Sequence, residues 1–156
     1  MRILLVEDNP AEALLTREAL SESGVVHELC LVEDGEMATS FLRKENGYGK
    51  EHRPDLVFLD LNLPRKNGRQ VLQEIKEDPS LASIPIIVIT NSVATEDVEH
   101  VYRLRANCYI VKPPDVDEFF AMMHQIIKFW AETVLLPDGS RAPLSTSPDN
   151  HDQPTS

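Results

Sequence analysis

The apolar positions of this chain fall into short unbroken runs separated by longer amphipathic stretches. Ile3–Val6, Leu56–Leu59 and Ile86–Ile89 are each continuously apolar and too short for a buried helix. Such runs read as strands of a parallel sheet covered on both faces. Two further runs are less uniform: Val26–Val32, which carries Glu28, and Cys108–Val111. These read as flanking strands. Between the runs lie helix signals. Asn9, Pro10 and Glu12 spell an N-cap, a proline at the first helical position and a capping-box acid, predicting a helix to about Glu22, before Gly24. Asp34-Gly35 opens a second helix through about Arg43. A third spans roughly Asn67 to Glu77, with Val71, Leu72 and Ile75 on one face, and Asp78-Pro79 stops it. A fourth follows Thr95, with Glu96 and Asp97 at the positive end of its dipole. Asp115 and Glu118 form another capping box, opening a fifth helix through about Glu132. The polar stretch 44–53 is a loop longer than usual.

The alternation is βαβαβαβαβα, which predicts an α/β domain: a five-stranded parallel sheet with right-handed crossovers and helices on both faces. Three central and two flanking strands favour the order 2-1-3-4-5 over a barrel, which needs about eight units. The expected domain covers residues 1–132. A C-terminal extension, 133–156, divides into an arm (133–136) and a proline-rich polar tail (137–156) expected to be disordered. In this order the first and third strands flank the switch point, where ligands bind at the carboxyl ends.

Composition narrows the function. The 156 residues carry a formal net charge of −11, which argues against nucleic acid and anionic membrane as partners. It suits a divalent cation or a basic protein. No run approaches the ~20 apolar residues that span a bilayer, and the chain opens directly on a strand, predicting no secretory signal and a cytoplasmic protein. Cys30 and Cys108 read as buried free thiols on opposite edges of the sheet, too far apart for a disulfide.

Candidate chemistry gathers on one rim. The strand ends deliver Glu7 and Asp8, Asp60, Thr90, and Lys112. Each has a bland reading: a turn cap for Asp60, solvated loop acids, a turn hydroxyl, a surface lysine. Together they are coherent as a site. Two anions about 4 Å apart repel by on the order of 4 kcal/mol at an effective dielectric near 20, so the carboxylates call for Lys112 and a divalent cation. All-oxygen ligands favour Mg²⁺ or Mn²⁺ over Zn²⁺. Asp60 is an acceptable nucleophile toward a phosphoryl group, because carboxylates form acyl phosphates.

With these motifs in order and at family spacing, residues 1–130 closely resemble a two-component response-regulator receiver domain, a flavodoxin-like fold. The resemblance implies that Asp60 accepts phosphate from a histidine kinase's phosphohistidine. It implies Mg²⁺ on Asp8, Asp60 and the Asn62 backbone carbonyl, with Glu7 assisting through water. Thr90 would move toward the phosphoryl group, Tyr109 would follow as the aromatic switch, and Lys112 would pair with the phosphate. The Lys112–Pro113 bond is expected to be cis. Two positions depart from the family pattern: Asn91, where Ala or Ser is commoner, bears on phosphate loss, and Arg105, in place of a frequent glycine, bears on partner contacts near the fourth helix. The segment Phe129–Pro137, Asp60-Leu-Asn-Leu-Pro and the loop around Tyr48 resemble regulators partnered with bacterial and cyanobacterial phytochrome kinases.

The segment after the fifth helix is too short for a DNA-binding domain, so a single-domain regulator is expected. On that helix Val116, Phe119, Phe120, Met123, Ile126, Ile127 and Trp130 fall on one stripe, the core face. Met122 and Phe129 lie beside it; a widened core margin is the bland reading, but with Val134, Leu135 and Leu136 they are expected to form a homodimer interface. The five histidines show no ligand spacing, and His124 is expected to face solvent. Two other classes compete. A haloacid-dehalogenase-type phosphatase would need an acid where Asn62 stands, and a phosphate-independent adaptor would keep the fold for binding alone.

Overall fold

A computed structural model of the chain describes residues 1–138. Its strands are β1 (Arg2–Val6), β2 (Glu28–Val32), β3 (Leu56–Leu59), β4 (Ile86–Thr90) and β5 (Cys108–Val111). Its helices are α1 (Pro10–Glu22), α2 (Gly35–Arg43), α3 (Gly68–Glu77), α4 (Thr95–Arg103) and α5 (Val116–Lys128). All pairings are parallel, in the order β2-β1-β3-β4-β5. Side chains alternate across the pleat, so Leu4, Val6, Val57, Leu59, Ile86 and Val88 enter one core with residues of α2, α3 and α4. Ile3, Leu5, Leu56, Phe58, Ile87 and Ile89 enter the other, against residues of α1 and α5. That two-sided burial is why β1, β3 and β4 carry unbroken apolar runs.

Local departures from the sequence expectation have physical causes. β2 starts at Glu28, where register with Arg2 begins; Val26, ahead of it, is exposed. The α1 cap is one-sided: Asn9 accepts from the amides of Ala11 and Glu12, while the Glu12 carboxylate is drawn elsewhere. The same holds at α5, where Asp115 caps the Glu118 amide. The reciprocal box forms instead at α3, between Asn67 and Gln70. Every peptide bond among the described residues is trans, including Lys112–Pro113, the lower-energy state for an ordinary X–Pro bond. Arg105 adopts φ of +69°, the left-handed region that favours glycine. The long loop after α2 is anchored by Tyr48, whose ring lies 5.4 Å from that of Phe41.

The C-terminal side differs most. On α5, Phe119, Met123 and Ile127 are buried and Phe120 and Ile126 partly so, as is Trp130 just beyond it. Val116, expected in the core, is half exposed because the first residue of α5 lies on the rim of a cleft shared with Pro113 and Pro114. His124, expected to face solvent, is partly buried: its ring stands edge-on to Phe120, one turn earlier, and its Nε2 is buried with no hydrogen-bond partner among the described residues. The helix then widens to a π-helical turn, Phe129–Thr133, and extends at Val134. Extended backbone alternates its side chains, so Leu135 is exposed while Leu136 is buried within its own chain. Leu136 forms part of the wall of a groove of about 310 Å³, together with Arg53, Pro54, Ile84 and Pro85, at the pole opposite the carboxyl ends of the strands. It is therefore withdrawn from the expected interface, which leaves Phe129 and Leu135 exposed beside partly buried Met122 and Val134. Cys30 and Cys108 are free, partly buried on opposite edge strands, and burial raises both thiol pKa values. Residues 139–156 of the expected tail lie outside the described residues.

Candidate functional site

The sheet's hydrogen-bond ladder runs one residue beyond several strands and fixes the rim. The Glu7 amide donates to the Val32 carbonyl (3.1 Å), the Asp60 amide to Val6 (3.1 Å) and the Lys112 amide to Thr90 (2.8 Å). Rigid backbone thereby presents Glu7, Asp60 and Lys112 to one mouth.

Their side chains meet at the Lys112 ammonium, which donates to Glu7 Oε2 (2.9 Å), Asp60 Oδ2 (2.9 Å) and Glu12 Oε2 (2.7 Å). Those bonds use all three ammonium donors. Asp60 is buried, and its other oxygen accepts the Asn62 amide at 2.9 Å. Glu7 Oε1 accepts the Asn9 amide at 3.0 Å. Burial pushes the Glu7 carboxyl up to about 7, with neighbouring Asp60 adding to the rise and Lys112 opposing it. Burial alone would lower Lys112, but its bonds to Glu12, Glu7 and Asp60 outweigh that and hold it above the ordinary ammonium range.

Glycine at position 68 is demanded by the site. A Cβ there would stand 2.3 Å from the Asp60 carbonyl oxygen and 2.7 Å from the Leu61 Cα. The start of α3 thus packs directly on the backbone of the candidate nucleophile, and its Gly68 amide donates to the Leu61 carbonyl at 3.0 Å. Gly35 plays a parallel part at the start of α2, where a Cβ would collide with the Lys66 carbonyl.

Thr90 is fully buried, and its Oγ1 accepts the Ser92 amide at 3.4 Å. Tyr109, partly buried, donates its hydroxyl to the Ser92 carbonyl at 2.9 Å. Ser92 Oγ in turn donates to Asp97 Oδ2 (2.5 Å), and Arg69 pairs with the other Asp97 oxygen. The loop after β4 is therefore tied to β5, α3 and α4 together.

Among the expected residues, Glu7, Asp60 and Lys112 are in direct contact, and Thr90 and Tyr109 flank the same loop. Asp8 and Asn62 are exposed. Among the described residues, the carboxylates whose oxygens lie within 4.8 Å of one another are Glu7, Glu12 and Asp60, without Asp8. This all-oxygen set with no His or Cys fits a hard divalent cation, and such an ion would stabilise the charged form of Glu7, which burial first and neighbouring Asp60 second disfavour. Glu12 and Ser92 were not foreseen from the sequence. The available signal for Glu12 was position: an acid in the first turn of a helix that starts just beyond a central strand stands over that strand's end.

A family model for the response regulator receiver domain matches residues 3–124. Response regulator Rcp1 from Synechocystis sp. is 46% identical over 135 residues, 86% of this chain and 92% of that protein. The crystal structure of the phosphorylated cyanobacterial phytochrome response regulator RcpA superposes with a TM-score of 0.84 at 47% identity, covering 87% of this chain and 97% of that one. The Mn²⁺-bound form of Rcp1 gives a TM-score of 0.83 at 46% identity, covering 87% and 98%. On the family match and these relatives, together with the sheet order and the rim of acids and lysine, the chain belongs to the response regulator receiver domain family.

Proposed function

We propose that Asp60 is the phosphoacceptor of a histidine kinase in a two-component system, and that the kinase is of the phytochrome type. The observation carrying this reading is the Lys112 ammonium shared by buried Glu7 and Asp60 at the carboxyl end of the sheet. In the transfer, one Asp60 carboxylate oxygen attacks the phosphorus of a phosphohistidine. A P–O bond forms as the P–N bond breaks, and the bonding pair leaves with the imidazole nitrogen, which takes up a proton. Lys112 then pairs with the phosphoryl oxygens, and the Thr90 hydroxyl, which donates no hydrogen bond among the described residues, offers one to them. Mg²⁺ or Mn²⁺ would be held by Glu7, Asp8, Asp60 and the Asn62 carbonyl; when bound it supplies positive charge that stabilises phosphoryl transfer. The names of the relatives, a phytochrome response regulator and a Mn²⁺-bound form, support both the kinase class and the ion.

Movement of Thr90 would be passed through Ser92 to Tyr109 and so to the face built by α4, β5 and α5. The chain acts as a signalling protein, with any catalysis confined to its own phosphorylation and dephosphorylation. It works as a cytoplasmic homodimer, joined through Phe129 and Leu135 with Met122 and Val134 beside them. No helix of the described residues is long and apolar enough to cross a membrane. Incubation with Mg²⁺ and acetyl phosphate, followed by intact mass, tests the core claim. An adduct of roughly 80 Da, one phosphoryl group, in the wild type and not in Asp60→Asn is expected. No adduct in the wild type favours a phosphate-independent adaptor.

A further inference from the structure

Glu12, so far only a member of the acidic set, has no part in the proposed phosphoryl transfer, yet it makes the shortest of the three contacts to Lys112, at 2.7 Å. It reaches there from the first turn of α1, and its other carboxylate oxygen accepts from the Asn91 side-chain amide at 3.4 Å. Asn91 directly follows Thr90. The environments of the three carboxylates differ. Glu7 and Asp60 are enclosed, with side-chain exposures of 4% and 7%, whereas Glu12 is 32% exposed. Glu12 also borders a cleft of about 160 Å³ lined by Thr16, Asn91, Pro113 and Asp115. Of the three partners, Glu12 alone has an open way out.

All three donors of the Lys112 ammonium are engaged. A phosphoryl group on Asp60 brings new anionic oxygens that need one of them, so one carboxylate has to yield. Glu7 is held by the Asn9 amide, and Asp60 is the acceptor itself. We infer that Glu12 is a positioning residue that occupies Lys112 in the unphosphorylated state and gives it up to the phosphoryl group. Glu12 thereby sets how readily Asp60 is phosphorylated, and through Asn91 it is linked to the loop that carries Thr90. This inference rests on the phosphoacceptor reading of Asp60.

The test compares the wild type with Glu12→Gln and Asp115→Ser. Glu12→Gln removes the competing charge and leaves the α1 cap, made by Asn9, in place. Asp115→Ser removes a charge from the same cleft without touching Lys112, and serine preserves capping of α5. Two readouts are taken with Mg²⁺: the rate of label uptake from acetyl phosphate, and the affinity for beryllofluoride, a phosphoryl mimic, by calorimetry. In the first, the P–O bond to acetate breaks, one to Asp60 forms and acetate leaves. Glu12→Gln should label roughly threefold to tenfold faster and bind beryllofluoride tighter by a similar factor, the size expected for release of one partly exposed ion pair. Asp115→Ser should match the wild type in both. Wild-type labelling with no change in Glu12→Gln overturns the inference alone. An equal gain in Asp115→Ser overturns it too, since general repulsion in the cleft would then suffice. Absence of labelling in the wild type overturns the phosphoacceptor reading and this inference with it.

Discussion

Glu7 links the electrostatics of the site to the stability of the whole domain. Its carboxyl, ordinarily near 4.5, is raised to about 7 by burial beside Asp60. The folded state therefore binds the Glu7 proton more tightly than the unfolded chain does. Between pH 4.5 and 7 the native state holds more protons, so stability attributable to this group falls as pH rises. It is fully present below the unfolded value and lost by the time pH passes the folded one. Each tenfold in proton affinity is about 1.4 kcal/mol, so the loss amounts to about 3 kcal/mol at pH 8. Glu7→Gln removes the charge while its amide oxygen can still accept from the Asn9 amide. In urea unfolding with a chelator present, the variant should gain on the wild type as pH rises from 4.5 to 8, reaching about 3 kcal/mol. The two should converge near pH 4. Taking the difference between the proteins cancels every other titrating group. A difference that stays flat across that window would refute the assignment of the raised pKa to Glu7 buried beside Asp60, where Lys112 compensates only in part.

Two further outcomes follow from packing. Gly68→Ala places a methyl 2.3 Å from the Asp60 carbonyl, and rigid backbone on both sides leaves no flexible side chain to yield. It should cost about 1–3 kcal/mol in urea unfolding and slow phosphoryl uptake beyond what that destabilisation explains; full uptake at unchanged stability would show that α3 does not pack on Asp60. If the proposed homodimer forms, Phe129→Asp should convert it to a monomer in sedimentation velocity. Loss of one buried aromatic per protomer weakens a two-fold interface roughly a hundredfold or more, and a monomeric wild type at micromolar concentration would contradict the interface.

Much of this was legible in the sequence because both faces of β1, β3 and β4 are covered. Continuous apolar runs then have one reading, and the residue ending each run must lie on the rim. Asp60, Thr90 and Glu7 could be located that way without coordinates, and Lys112 by the end of the less uniform flanking run Cys108–Val111. What could not be read depends on how separate elements dock. Glu12 looked like the second half of a capping box, and only the packing of α1 over the end of β1 shows its carboxylate at Lys112. Leu135 and Leu136 are identical in composition and opposite in fate, because the chain extends after the π-helical turn and alternates them outward and inward. Val116 fits the helical stripe of α5 but stands in its first turn, at the rim of a cleft. His124 falls off that stripe, yet Phe120 covers it from the turn before. Periodicity assigns faces of a helix, and it does not say where neighbouring side chains close over them.

The central claim is that Asp60 is a phosphoacceptor, and intact mass after incubation with Mg²⁺ and acetyl phosphate addresses it most directly. The wild type should gain roughly 80 Da, one phosphoryl group, in a form that hydroxylamine removes, as an acyl phosphate requires. Asp60→Asn should gain nothing. A wild type that stays unmodified, or an adduct that persists in Asp60→Asn, would contradict the account.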